Sequence, residues 1–165
     1  MGKSELATHV ASEAALVALA AAVAAAWRNA GIANAVIGLR GDLGAGKTTW
    51  VRAMLNGLGF DGRVPSPTYT LIEPYALDGL TVVHMDLYRL TSDAEFEQLG
   101  VRDWLAQPGH WVLAEWPERV PAFAAVADLS LDFSIGSGEQ RQLVWRGLTD
   151  TGRALVTVVS KIYSK

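Results

Sequence analysis

The stretch Ala33-Asn34-Ala35-Val36-Ile37-Gly38-Leu39-Arg40-Gly41-Asp42-Leu43-Gly44-Ala45-Gly46-Lys47-Thr48-Thr49 decides the fold. Ala33 to Leu39 is a short apolar run, long enough for a buried strand and too short for a helix. Gly41 to Thr48 matches G-x-x-x-x-G-K-[ST], a pattern expected by chance in a chain of this length and average composition on the order of 1% of the time. Downstream, Val51, Met54, Leu55 and Leu58 fall at i, i+3, i+4 and i+7, the spacing of an amphipathic helix, and Gly59 stands where a C-terminal cap belongs. The glycine loop therefore joins a strand to a helix. Its residue types have physical reasons: glycines let backbone N–H groups curl around phosphate oxygens, and the helix N-terminus adds positive potential. Lys47 is placed for the β- and γ-phosphates, and Thr48 offers a hydroxyl to Mg²⁺, a cation that prefers oxygen ligands.

The whole chain of 165 residues fits one domain, 50% hydrophobic and too apolar for intrinsic disorder. Fourteen Lys and Arg against 17 Asp and Glu leave a net charge of −3, so the chain has no general electrostatic drive toward nucleic acid or anionic lipid. The lack of cysteine excludes disulfide scaffolds, thiolate zinc sites and thiol catalysis, and agrees with a cytoplasmic location. The uncharged run Ala14 to Trp27 is too short and too alanine-rich to span a bilayer, and Glu5, His9, Ser12 and Glu13 precede it in place of a basic signal-peptide region. It reads as a helix capped by Ser12, with Leu16, Leu19, Val23 and Trp27 as its apolar stripe and Gly31 as its end.

Beyond the loop helix, Phe60 to Pro67 reads as loop. Tyr69 to Tyr75 and Leu80 to Tyr88 read as strands around a Leu77-Asp78-Gly79 turn. Ser92 and Glu95 have capping-box spacing for a helix that Gly100 ends, and a short helix over Val101 to Ala106 follows. His110 to Trp116 is a strand stopped by Pro117. Leu129 to Ile135 and Gln140 to Arg146 form a hairpin around Gly136-Ser137-Gly138, and Ala154, Leu155, Val158, Val159 and Ile162 keep helical spacing within Asp150 to Ile162. The expected fold class is α/β, a single P-loop NTPase domain with a mixed central sheet flanked by helices.

A nucleoside triphosphatase also needs an acidic residue at the end of a neighbouring strand. Asp86 and Glu115 both qualify. Strand alternation puts His84, Asp86 and Tyr88 on one face and Val83, Met85 and Leu87 on the other. The bland alternatives are a solvated strand end at Asp86, a surface carboxylate at Glu115 and a purely structural imidazole at His84. Ser66-Pro67-Thr68 stands where switch segments place a hydroxyl near the γ-phosphate, or is simply a proline turn. Arg52, Arg63, Arg89 and Arg141 are candidates for stabilising phosphate charge, and spacing does not choose among them.

Taken together, Gly41 to Thr49, Ser66-Pro67-Thr68-Tyr69-Thr70, His84-Met85-Asp86-Leu87-Tyr88-Arg89 and Glu115-Trp116-Pro117 resemble the TsaE (YjeE) family of bacterial P-loop ATPases, from about Ala33 to Arg119. The resemblance implies an ATPase with ATP and Mg²⁺ as cofactors, active in threonylcarbamoylation of adenosine 37 in tRNA. Its implied partners are the threonylcarbamoyl-transferase subunit and that subunit's inactive paralogue, with tRNA met only through their complex and no membrane involved. It places the nucleotide on Gly44, Ala45, Gly46, Lys47, Thr48 and Thr49, with Glu13 approaching from the N-terminal helix. It assigns Mg²⁺ to Thr48 and Glu115 and a required carboxylate to Asp86. The expected catalytic residues are Lys47, stabilising charge on the transferring phosphoryl group, and Asp86 or Glu115, either of which positions water. The sequence departs from the family at Leu16 and Ala20, where Thr and Gly are usual. Two other readings share the phosphate loop. A small nucleotide or metabolite kinase would bring an arginine-rich lid, and no arginine cluster appears. A GTPase-like switch would carry Asn-Lys-x-Asp, which is missing.

Overall fold

Seven strands of six or seven residues, apolar throughout at the centre and alternating toward the edges, build one mixed sheet in this computed structural model, which describes residues 4–67 and 71–163. Thr68, Tyr69 and Thr70, expected in a phosphate-side loop and at the start of a strand, lie outside the described residues. The strands are β1 (Ser4–Val10), β2 (Ala35–Arg40), β3 (Ile72–Leu77), β4 (Leu80–Asp86), β5 (His110–Glu115), β6 (Leu129–Ile135) and β7 (Arg141–Gly147), in the order β1-β7-β6-β2-β5-β4-β3. β6, β2, β5 and β4 run parallel, while β3, β7 and β1 pair antiparallel to their neighbours. The parallel strands therefore end at one edge of the sheet, where loops from different crossovers converge and where open α/β sheets bind ligands.

Helices cover both faces. On one lie α1 (Glu13–Asn29), α2 (Lys47–Gly57) and α6 (Asp150–Tyr163), packed on Ile37, Leu39, Trp111, Leu113, Leu131 and Trp145. On the other, α3 (Asp93–Gln98), α4 (Val101–Ala106) and α5 (Pro121–Ala124) bury Phe96, Val101 and Phe123 against Val83, Met85, Val112 and Ala114. Trp111, Trp27, Trp145 and Trp50 form a run of edge-to-face contacts through the first core, with ring centroids 6.0, 6.3 and 5.4 Å apart in that order. α1 and α2 cross closely at Gly57, where a Cβ would stand 2.6 Å from the Cα of Ala21. Among the described residues no helix is long and apolar enough to cross a membrane.

The expected elements recur with shifted ends. Ser12 caps α1 by accepting from the Ala15 amide at 3.1 Å, and Ser92 caps α3 in the same way at 3.2 Å. Asp78 and Gly79 make the two-residue turn between β3 and β4, with Gly79 at φ +74°. The terminal helix forms over Asp150–Tyr163 as its spacing requires. Strand β1 is an addition. Its inward positions are Leu6, Thr8 and Val10, so one of three is polar and the alternation is blurred; Thr8 is accommodated because its hydroxyl accepts from the Trp145 indole at 3.0 Å. β4 stops at Asp86, two residues short of Tyr88. The Asp86 carboxylate accepts from the Tyr88 amide at 3.0 Å, a local side-chain turn that takes the chain out of the sheet.

Candidate nucleotide site

The loop after β2 curls because three of its glycines occupy positive φ: Gly41 at 153°, Gly44 at 82° and Gly46 at 111°. At Gly41 a Cβ would sit 2.9 Å from the Phe133 carbonyl, and at Gly46 it would sit 2.8 Å from Cδ2 of Leu16. Among the described residues no side chain caps α2, so the amides of its first turn stay aimed at the space inside the loop. The Lys47 ammonium donates to the Gly41 carbonyl and lies 3.7 Å from the centre of the Trp116 ring. Burial pushes its pKa below the usual lysine value, opposed by the nearby charges of Glu115, Glu118, Asp86 and Asp42.

Asp86 and Glu115 stand side by side at the ends of β4 and β5, in direct register. Both are buried, 6% and 4% exposed, so neither is a solvated strand end nor a surface carboxylate. The Thr48 hydroxyl lies 3.0 Å from Oε1 and 2.9 Å from Oε2 of Glu115, and His84 Nε2 lies 2.7 Å from Oε2. His84, Asp86 and Glu115 share the sheet face beneath α2. Tyr88, expected with them, has left that face and packs at the surface against Trp116, ring centroids 5.0 Å apart.

A cavity of about 200 Å³ joins these groups, lined by Gly44, Lys47, Thr48, Ser66, Asp86 and Glu115 among others. Beside it a recess of about 80 Å³ is walled by Glu13, Leu16, Gly46, Thr49, Glu139 and Arg141, so Glu13 reaches the loop from α1 as an exposed carboxylate. Ala45 is buried under the loop. Of the four arginines, Arg141 is bonded to the phosphate loop, its Nε donating to the Ala45 carbonyl at 3.2 Å. Arg52 instead holds the Val64 carbonyl at 3.0 Å.

Sequence reasoning missed three members. Trp116 forms the platform for Lys47 in a left-handed backbone conformation, φ 60°, that no motif announces. Leu16 fills the space over Gly46, and Glu139 enters from the β6–β7 turn. The donor set fits a nucleotide with Mg²⁺: hard oxygen ligands from Thr48 and Glu115, a cation at Lys47, and backbone amides for phosphate. Among the described residues no three His, Asp or Glu side chains gather to hold a metal by themselves.

The chain is 38% identical over 122 residues to the tRNA threonylcarbamoyladenosine biosynthesis protein TsaE of Haemophilus influenzae, covering 74% of this chain and 76% of the relative. It is 31% identical over 126 residues to the protein of the same name from Bacillus subtilis, covering 76% and 78%. The crystal structure of Bacillus subtilis YdiB shares the fold, with a TM-score of 0.78, 23% identity and 99% of each chain covered. The family model of threonylcarbamoyl adenosine biosynthesis protein TsaE matches residues 10–143, a span holding the loop, both carboxylates and Arg141, and the chain accordingly belongs to the TsaE family.

Proposed function

We propose that the chain is a single-domain, Mg²⁺-dependent ATPase of the cytoplasm that supports threonylcarbamoylation of adenosine 37 in tRNA. Its partners in this reading are the threonylcarbamoyl-transferase subunit and that subunit's inactive paralogue, which hold the tRNA; the chain's net charge of −3 supports a role that leaves tRNA to others. The observation that carries the ATPase reading is the contact of Thr48 with Glu115 directly beside Lys47 at the mouth of a glycine loop. Names of the relatives supply the pathway.

In this reading the amides from Gly44 to Thr49 bind phosphate and Lys47 leaves the Gly41 carbonyl and the Trp116 ring to meet it. Thr48 and Glu115 hold the cation, and Asp86 or Glu115 orients water. Bound Mg²⁺ supplies charge neutralisation on the transferring phosphoryl group. Glu13 and Arg141 border the side away from the carboxylates, where the nucleoside enters.

The test is ATP turnover of the purified chain, alone and with the two partner proteins and tRNA, scoring modified adenosine in parallel. Hydrolysis and multiple-turnover modification that rise together support the proposal. Phosphate passed to an added small molecule rather than released would instead mark a kinase, and turnover indifferent to the partners would remove the pathway assignment.

A further inference from the structure

Thr48 alone cannot orient Glu115. Its hydroxyl has one hydrogen to donate and lies 3.0 and 2.9 Å from the two carboxylate oxygens, so its geometry is nearly symmetric between them. The symmetry is broken from below. His84, wholly buried in β4 two residues before Asp86, brings Nε2 to 2.7 Å from Oε2 of Glu115. A carboxylate accepts, so the imidazole proton in this bond belongs to Nε2. Among the described residues His84 Nδ1 has no hydrogen-bond partner. A buried imidazole with one nitrogen unanswered is a poor way to fill a core that neighbouring Val83, Met85 and Leu113 fill with apolar groups, and what it gains is this one bond.

We propose that His84 is a positioning residue for the divalent-cation site: by donating to Oε2 it locks that oxygen inward and leaves Oε1, with the Thr48 hydroxyl, presented to the cavity. It touches neither nucleotide nor cation and acts through Glu115. The inference rests on the Mg²⁺–nucleotide reading above and adds to it the group that preorganises the ligand. The donor must be at the Nε2 position. A glutamine amide nitrogen reaches that point, whereas an asparagine amide stops at the place of Nδ1, so the two amides separate a hydrogen-bonding role from a space-filling one.

The test measures ADP affinity calorimetrically in Mg²⁺ and again in EDTA for the wild type, His84→Leu, His84→Asn and His84→Gln, with a thermal melt for each. The expected result is that the gain in ADP affinity given by Mg²⁺ falls about tenfold in His84→Leu and His84→Asn and returns to within about twofold of wild type in His84→Gln, since outer-shell partners typically set 10–100-fold of metal affinity. A wild-type-like Mg²⁺ gain in His84→Leu, or a His84→Gln variant as impaired as His84→Asn, overturns the positioning role while leaving the cation site in place. Should His84→Leu fail to fold, the Gln and Asn variants, one methylene apart in the same pocket, decide between the same two answers. A wild type whose ADP affinity ignores Mg²⁺ removes the cation reading and this role together, an outcome distinct from the first two.

Discussion

Replacing Lys47 with methionine should make the nucleotide-free protein more stable and the nucleotide-bound state unattainable. The side chain is 4% exposed, and its depressed pKa means that burial outweighs the attraction of the four surrounding carboxylates. An ammonium loses several kcal/mol on leaving water. Its stacking on Trp116 returns roughly 1 kcal/mol and its bond to the Gly41 carbonyl about 1 kcal/mol more. Methionine keeps the apolar stem, so Lys47→Met is expected to gain on the order of 1 kcal/mol, which for a chain of this size is a rise of about 2–4 °C in melting temperature. The pH dependence has a definite sign. Below the folded-state pKa of Lys47 both states hold the proton and the burial cost is complete. Between that pKa and the ordinary value of 10.5 the unfolded chain binds more protons, so wild-type stability climbs with pH and the advantage of the variant shrinks. Nucleotide reverses the order: MgATP at one hundred times its Kd adds about 2.7 kcal/mol to a protein that binds it, a shift of roughly 5–11 °C that Lys47→Met should lack. Scanning calorimetry with and without MgATP from pH 7 to pH 10 reads all of this. A variant that melts below the wild type without ligand, or that keeps the ligand shift, refutes the account of Lys47 as a strained cation held ready for phosphate.

Other substitutions test the neighbouring parts. Glu115→Ala should abolish the gain in ADP affinity on adding Mg²⁺ while changing affinity in EDTA by only a few-fold, measured by titration calorimetry. Gly46→Ala combines φ +111° with a 2.8 Å approach to Leu16, and is expected to cost about 1–3 kcal/mol in urea denaturation and to weaken nucleotide binding at least tenfold. Gly44→Ala, at φ +82° with open space around it, should cost only about 1 kcal/mol. Ser12→Ala removes the cap of α1 and should lower stability by about 1 kcal/mol in the same assay.

What could be read directly from residue order was what neighbours along the chain decide. Glycines at 41, 44 and 46 between an apolar run and an amphipathic one announce a strand, a tight loop and a helix. Ser12 and Ser92 announce caps three residues ahead, and Asp78-Gly79 announces a turn, because each hydrogen bond or backbone preference is closed within a few residues. Asp86 and Glu115 were legible as a pair because both end short apolar strands.

Their burial, their direct register and their separate attachments were not, since these depend on which strands the crossovers lay side by side. Thr48 meets Glu115 across 67 positions and His84 meets it across 31, and nothing local favours either meeting. Strand β1 escaped because a buried threonine interrupts its alternation, and the hydroxyl of Thr8 meets the Trp145 indole only once β1 and β7 pair. Trp116 was visible as a residue beside Glu115, but its left-handed backbone and the place of its ring under Lys47 are set by β5 ending against the phosphate loop. Residue order thus carries the loop and the family to which it belongs. How the carboxylate is held belongs to the folded sheet, because parallel strands joined by long crossovers bring their ends together only when the whole sheet has formed.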